Sequence, residues 1–288
     1  MSIVTRIGRR RHLPGVVLAL LLAIIPVSAE AYVLMGEHVL DMMVQALGKA
    51  DTLEVTQTLT IHAVTTAIPL PTSALQETVR IRFPYDFRAD ASGDGYQRQM
   101  LVAGGTGLMA VNGVLQNGPL PRYARYNDIL MVKPRQALAD HLRMMGVDVT
   151  VSSLGRLEDR YCYVVGAHYP DEAAAQLWVD KDTFHPMRLI LPPAAMPSGE
   201  GTVEIRYRNW TFAEGVAYPM HVVMLQNHQV VQEIRVERLQ VNPVFASDLF
   251  DPAVLRREWS RPAAAGVDGA RILPEVAAPP TIQVPKKN

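Results

Sequence analysis

GTVEIRYRNWTFAEGVAYPMHVVMLQNHQVVQEIRVERLQV, residues 201–241, reads as three strands laid end to end. Val203 and Ile205 alternate with Thr202, Glu204, Arg206 and Arg208. Met220, Val222 and Met224 recur at every second position, and Ile234 and Val236 alternate with Glu233 and Arg235. Residues two apart on a strand share a face, so each segment has one dry side and one wet side. The connections are short and polar, around Gly215 and Asn227, which makes sequential strands pair antiparallel.

The same pattern extends upstream. Strands are predicted at 148–154, 161–168, 175–180 and 186–191, before those at 201–212, 216–227 and 229–241. Nearer the N-terminus, Leu53, Val55, Leu59 and Ile61 alternate with Glu54, Thr56, Thr58, Thr60 and His62. Residues 65–76, with Pro69 and Pro71, read as a loop. Val79, Ile81 and Phe83 then alternate with Thr78, Arg80 and Arg82 until Pro84 stops the ladder. Phe87 opens the neighbouring strand; Gly93-Asp94-Gly95, Asn112-Gly113 and Asn117-Gly118 are turns.

Two helices are predicted. Val39, Leu40, Met43 and Leu47 form one face of a helix over 36–48, ended at Gly48. Pro134 starts the second, Leu138, Leu142 and Met145 make its apolar stripe, and Gly146 ends it. Pro243-Val244-Phe245 and Asp248-Leu249-Phe250-Asp251-Pro252 read as a short terminal segment that packs its aromatics.

The ends differ in character. Arg6, Arg9, Arg10 and Arg11 precede the apolar run Val16–Ile25, then Pro26 and the small residues of Ala29-Glu30-Ala31. This is the pattern of a secretory signal peptide over 1–31, too short to span a bilayer. Its removal deletes four arginines and Glu30 and leaves 257 residues with a net charge of −3. No cysteine lies near the cleavage point to carry a lipid, so the expected location is the periplasm, or outside the cell, without an anchor. Residues 32–259 form the expected domain. Residues 260–288, with five prolines and many alanines, read as a disordered or extended tail.

Composition narrows the function. Apolar residues are 49% of the chain, enough for a substantial core. Lys plus Arg and Asp plus Glu are each 28, a balance unlike that of a nucleic-acid binder. The lone Cys162 excludes an intrachain disulfide and cysteine-based zinc sites; in Tyr161-Cys162-Tyr163 it reads as a buried structural thiol. The histidines lack the spacing of a zinc protease, and no Gly-x-Ser-x-Gly nucleophile occurs. Gly104-Gly105-Thr106-Gly107 lacks the lysine of a phosphate loop and reads as a hairpin turn. Asp180-Lys181-Asp182 reads as a solvated hairpin tip, and Asn209-Trp210-Thr211 as a chance sequon. No cofactor or metal is expected, and binding is favoured over catalysis.

A wide sheet with one wet face curls around an apolar interior. The residues expected to line it and hold cargo are Val55, Leu59, Ile61, Val79, Ile81, Phe83, Phe87, Leu177, Val179, Leu189, Ile205, Met220, Val222 and Met224, with Leu142 and Met145 from the covering helix. Met187 is placed on that same face. Arg188, Glu204 and Arg206 are placed on the opposite, solvated one.

The order of several stretches resembles the periplasmic outer-membrane lipoprotein-sorting family, the LolA/LolB-like fold. A short helix precedes Leu53-Glu54-Val55-Thr56-Gln57. Then come Val79-Arg80-Ile81-Arg82-Phe83-Pro84-Tyr85-Asp86-Phe87-Arg88 and Tyr163-Val164-Val165. Leu177-Trp178-Val179-Asp180-Lys181-Asp182-Thr183-Phe184-His185-Pro186-Met187-Arg188 follows, then Asn209-Trp210 and Gly215-Val216-Ala217-Tyr218-Pro219. The resemblance covers most of residues 36–250. It implies a mainly β, α+β fold: an unclosed antiparallel β-barrel of about eleven strands, its concave apolar face capped by helices. It implies a monomeric carrier of lipid or lipoprotein acyl chains, working between membrane-bound donor and receptor proteins. In such carriers an arginine directly before the strand-ending proline helps latch the lid. Here that position is Phe83, with Arg82 one place earlier on the opposite face. The carrier reading expects a partly vacant interior under a lid made by helices 36–48 and 134–145; a close-packed interior counts against it. The alternatives are a periplasmic sensor or protein-interaction module on the same fold, and an exported hydrolase whose site is not visible in the sequence.

Overall fold

A computed structural model describes residues 33–62, 74–117, 120, 126–132, 134–193 and 201–259. The signal segment, the tail and most of the 65–76 loop lie outside these residues, as does Gly118 of the Asn117-Gly118 turn. The elements run α1 (Gly36–Leu47), β1 (Thr52–Ile61), β2 (Ala74–Arg82), β3 (Asp86–Gly93), β4 (Tyr96–Ala103), β5 (Thr106–Val111) and β6 (Val114–Leu115). Then follow α2 (Asp128–Met131), α3 (Arg135–Met144), β7 (Ser152–Leu157), β8 (Arg160–Val165), β9 (Gln176–Asp180), β10 (Pro186–Leu191), β11 (Val203–Ala213), β12 (Val216–Gln226), β13 (Gln229–Val241) and α4 (Pro252–Trp259).

All thirteen strands form one antiparallel sheet, in the order β6-β5-β4-β3-β2-β1-β13-β12-β11-β10-β9-β8-β7. Two meanders, β1–β6 and β7–β13, join where β1 pairs with β13, Leu59 opposite Ile234. The edges β6 and β7 do not pair, so the sheet stays unclosed. Its tight turns are chemically specified. Asn112-Gly113 takes φ of 49° and 77°, and Glu214-Gly215 takes 48° and 83°, the positive-φ pairs that match the twist of a two-residue hairpin.

One face of the sheet is packed against α1, α2 and α3, and the shared core runs through both meanders. On β1 and β2 the outer face is a ladder of polar pairs, with Arg80 bonding Glu54 at 2.8 Å and Asp90 at 2.9 Å. Two smaller clusters also sit apart from the main core. In one, α4 supplies Leu255 and Trp259, which pack with Phe250 against Leu101, Ala103, Leu108 and Ala110. In the other, Trp178 lies with Cys162, Val164 and Ala167. Burial pushes the Cys162 thiol up to about 12, which leaves it inert.

Several details differ from the sequence reading. The described residues form thirteen strands where about eleven were expected. Residues 148–151 are a turn rather than strand, because the Asp148 carboxylate accepts from the backbone N–H and hydroxyl of Thr150; β7 begins at Ser152. A bulge between Pro186 and Arg188 turns Met187 away from Leu189 and onto the Trp178 cluster. Arg188 and Glu204 are not solvated: each is buried, and they pair at 2.6 Å, with Glu172 closing the cluster. Burial pushes the Glu204 carboxyl up, but Arg188 and Arg206 outweigh it and hold it below the usual range.

Candidate functional site: the capped concave face

Thirteen of the sixteen residues expected to hold cargo are buried in the main core: Val55, Leu59, Ile61, Val79, Ile81, Phe87, Leu142, Leu177, Val179, Leu189, Ile205, Val222 and Met224. Phe83 and Met145 are half-buried and pack against that core. Met220 is half-buried but outside it, at the level of β11 where Asn209 takes a φ of 53° and interrupts the regular ladder.

The cap brings its own apolar face to the sheet. Helix α1 buries Val39, Leu40, Met43 and Leu47; α2 buries Ile129, Leu130 and Met131; α3 buries Leu138, Ala139 and Leu142. Gly36 is seated so closely that a Cβ there would lie 2.3 Å from the Val149 carbonyl oxygen. Arg135 and Arg143 of α3 reach Glu37 of α1 at 2.9 and 3.0 Å, and His141 reaches Asp128 at 3.3 Å. These pairs are largely exposed or partly so and align the helices more than they stabilise them. The fit leaves little space. A cleft of about 10 Å³, room for about one water, lies among Leu47, Leu53, Ile81, Phe83, Leu130, Met131, Val216, Ala217 and Tyr218. Among the described residues the cap fills the hollow, and the partly vacant interior expected of a carrier is not seen there.

Within this apolar setting sits a polar network that the sequence reading missed. Gln57, Glu77 and Arg98 project from β1, β2 and β4 on the buried face. Arg98 donates to Glu77 at 2.7 Å. The Gln57 amide nitrogen donates to Glu77 at 2.6 Å and to the Tyr126 hydroxyl at 2.7 Å. From the second meander, the Tyr207 hydroxyl donates to the Tyr126 carbonyl and the Tyr218 hydroxyl to the Asn127 side-chain carbonyl, each at 2.8 Å. Burial pushes the hydroxyls of Tyr126, Tyr207 and Tyr218 well up, so all three stay protonated. Tyr126 and Asn127 lead directly into α2, so both meanders grip the same short segment of the cap. Gln57 Oε1 and Asn127 Nδ2 are buried with no partner among the described residues. The signal for Gln57 was its phase: it falls on the apolar side of β1, between Val55 and Leu59.

A second hollow, of about 330 Å³ and open to solvent, lies at one end of the sheet, lined by Asp51, Thr52, Arg82 and residues 242–247. Arg82 faces this way, paired with Asp86 and stacked 4.7 Å over the Phe250 ring, and not towards the cap. Among the described residues no group of His, Cys, Asp and Glu is arranged to hold a metal, and no helix is long and apolar enough to cross a membrane.

No protein-family model matches the sequence, and no curated protein does. Solved structures do match. A LolA superfamily protein from Nitrosomonas europaea is 14% identical, with a TM-score of 0.50, over 77% of this chain and 99% of that one. A DUF1329 family protein from Desulfovibrio piger is 10% identical, with a TM-score of 0.51, over 76% of this chain and 97% of that one. The fold is LolA-like. In this LolA-like half-barrel the position before the strand-ending proline is Phe83, which lines the residual cleft, and the polar hold on the cap comes from Gln57, Tyr207 and Tyr218.

Proposed function

We propose that the chain is a periplasmic carrier that binds acyl chains of lipids or lipoproteins on the capped concave face, without catalysis. It acts as a monomer handing cargo from a membrane-bound donor to a receptor. The observation that carries this reading is the apolar concave face of the LolA-like half-barrel, covered beside the residual cleft by the short α2; the filled hollow counts against a standing cavity, so cargo has to displace α2 to reach that face. The signal-like residues 1–31 support export.

Magnitudes favour exchange over a standing cavity. Uncovering Ile129, Leu130 and Met131 costs about 5–9 kcal/mol at 1.5–3 kcal/mol per buried side chain. An acyl chain burying about ten methylenes returns about 8 kcal/mol. The two nearly cancel for these apolar side chains; displacing α2 also breaks the bonds of Gln57, Tyr207 and Tyr218 to Tyr126 and Asn127, about 1 kcal/mol each, which the cargo has to offset. Moving α1 as well would expose four more large side chains, which one acyl chain does not offset.

The test is photolabelling with a diazirine-bearing palmitate, followed by peptide mapping. Saturable labelling of β1 and β2, competed by unlabelled palmitate, is the expected result. Labelling that never saturates, or that maps only to the outer face, overturns the reading. A second reading, a sensor or protein-interaction module, is favoured by the closed hollow. Native mass spectrometry of protein drawn from its own periplasm separates them: bound lipid supports the carrier, a stoichiometric protein without lipid supports the module.

A further inference from the structure

We propose that the free edge of β7 is a strand-addition site for an extended segment of a partner protein, one that carries an acidic residue two positions before a large apolar one. This goes beyond the acyl-carrier reading and does not depend on it. The two edges of the sheet are finished differently. β6 is two residues long, and its Leu115 packs with the α4 cluster. β7 is six residues long and pairs with β8 in an unbroken register, with no Lys, no Pro and no bulge to guard its other side. Just before it, the Gly166 N–H donates to the Val151 carbonyl, which fixes the phase of the ladder. Bonded and non-bonded pairs alternate in an antiparallel ladder, so Ser153 and Gly155 bond to β8. The N–H and C=O groups of Ser152, Leu154 and Arg156 then point off the sheet, and among the described residues nothing bonds them. These three donors and three acceptors, two residues apart, are a template for another extended backbone.

The flanks of the edge say what the added segment carries. On the cap side Leu154 lies against the main core, and Arg156, two residues on, is exposed. The Arg156 Nε donates to the Glu158 carbonyl at 3.1 Å, and among the described residues no carboxylate pairs with its guanidinium. Met35, 70% exposed, stands by the same flank, where the Ser152 hydroxyl donates to the Leu34 carbonyl. On the outer side Gly155 has no side chain, and a Cβ there would meet the Trp178 and Tyr169 rings at 2.8 and 2.9 Å. Tyr169 is 47% exposed, so its ring offers an apolar wall beside the edge. An antiparallel newcomer sets one residue opposite each of these positions. A carboxylate complements Arg156, an aromatic ring opposite Gly155 packs along Tyr169, and a branched apolar side chain opposite Leu154 extends the core. A second copy of β7 fits less well. Centred on Leu154, it sets Ser152 opposite Arg156 and leaves the guanidinium without an acid.

The probe is the amidated hexapeptide Thr-Glu-Phe-Ile-Thr-Val with an N-terminal fluorescein, titrated against the full-length protein by anisotropy. Its control carries Lys in place of Glu. The Glu peptide is expected to bind saturably, about two- to fivefold more tightly than the Lys peptide, the scale of one exposed ion pair. Arg156→Glu should reverse that order. Leu154→Pro removes an N–H that points off the sheet, so the ladder to β8 is kept while binding of both peptides falls at least about tenfold. The reversal in Arg156→Glu stands as a test even if the proline variant fails to fold. Hydrogen exchange read by NMR locates the site. The Glu peptide should slow the amides of Ser152, Leu154 and Arg156 and leave those of Ser153 and Gly155, already bonded, unchanged. No saturable binding, or protection on the concave face instead of these alternate amides, overturns the proposal. Alternate protection with no preference between Glu and Lys overturns the acidic partner. Dimerisation of the free protein that Leu154→Pro abolishes overturns the partner segment in favour of a second copy.

Discussion

Asp180 shows how much one side chain settles at the residue scale. Its carboxylate closes the turn after β9: Oδ1 accepts from the backbone of Asp182 and Thr183 and from the Thr183 hydroxyl, and Oδ2 accepts from Arg160 at 2.7 Å. The side chain is 1% exposed, so the sequence reading of a solvated tip fits Lys181 and Asp182 and not Asp180. Burial works against the charged form, but these bonds outweigh it and hold the carboxyl below its ordinary range. A carboxylate held low in the folded chain stabilises it fully above its unfolded value, near 4, and loses that contribution as pH falls through the folded value. Asp180→Asn is expected to cost about 1–3 kcal/mol at pH 7 in urea unfolding. The gap from wild type should narrow steadily as pH falls below 4; a gap independent of pH would show that charge is not the cause. Gln57, Glu77 and Arg98 were legible in a weaker sense. Each is in phase with buried apolar neighbours, but alternation says only that a residue faces inward, and not which partners from distant strands will satisfy it.

Elements were legible where they are long and periodic. Helix α1 and strands β9 to β13 fall within a few residues of their predicted bounds, because a period of 3.6 or 2 sustained over several residues admits few alternatives. Helix α2 was not seen, since four residues cannot display a helical period, and α4 was read only as an aromatic-packing segment. The end of α1 was readable for a specific reason. Gly48 takes a φ of 73°, and a Cβ there would sit 1.8 Å from the Gly215 carbonyl oxygen. It is the point where the cap meets the β11–β12 turn, through a bridge to Val216. Gly48→Ala is therefore expected to cost at least about 2 kcal/mol, from strain and collision together. In a chain of this size that lowers the melting temperature by about 4–8 °C. Gly95→Ala is the control: φ is 75°, but nothing lies within 4 Å, so only strain acts and the drop should be clearly smaller. Equal drops would mean that the cap does not depend on this close approach.

For the whole molecule, the curled antiparallel sheet with one apolar face followed from alternation, but the filling of its hollow did not. Leu59 or Val222 reads the same whether it faces a vacancy or Leu40, and only the placement of the cap decides between them. The strand order has a mechanical consequence that sequence periodicity also could not supply. Two consecutive meanders would be two independent folding units if each closed its own core. Here β1 pairs with β13 over nine residues, and one core runs through both, beneath a single cap. Ile234 sits on that seam, fully buried and opposite Leu59. Ile234→Ala is expected to cost about 2–5 kcal/mol. Because the seam is shared, the loss should register in the meander that does not contain the substitution. Hydrogen exchange read by mass spectrometry checks this: the slowest amides of β2 and β3 should lose as much protection as those of β11 and β12. If β2 and β3 keep wild-type protection while β11 and β12 lose theirs, the meanders unfold separately, and a cap gripped by Gln57 on one and by Tyr207 and Tyr218 on the other would be held by two bodies free to part.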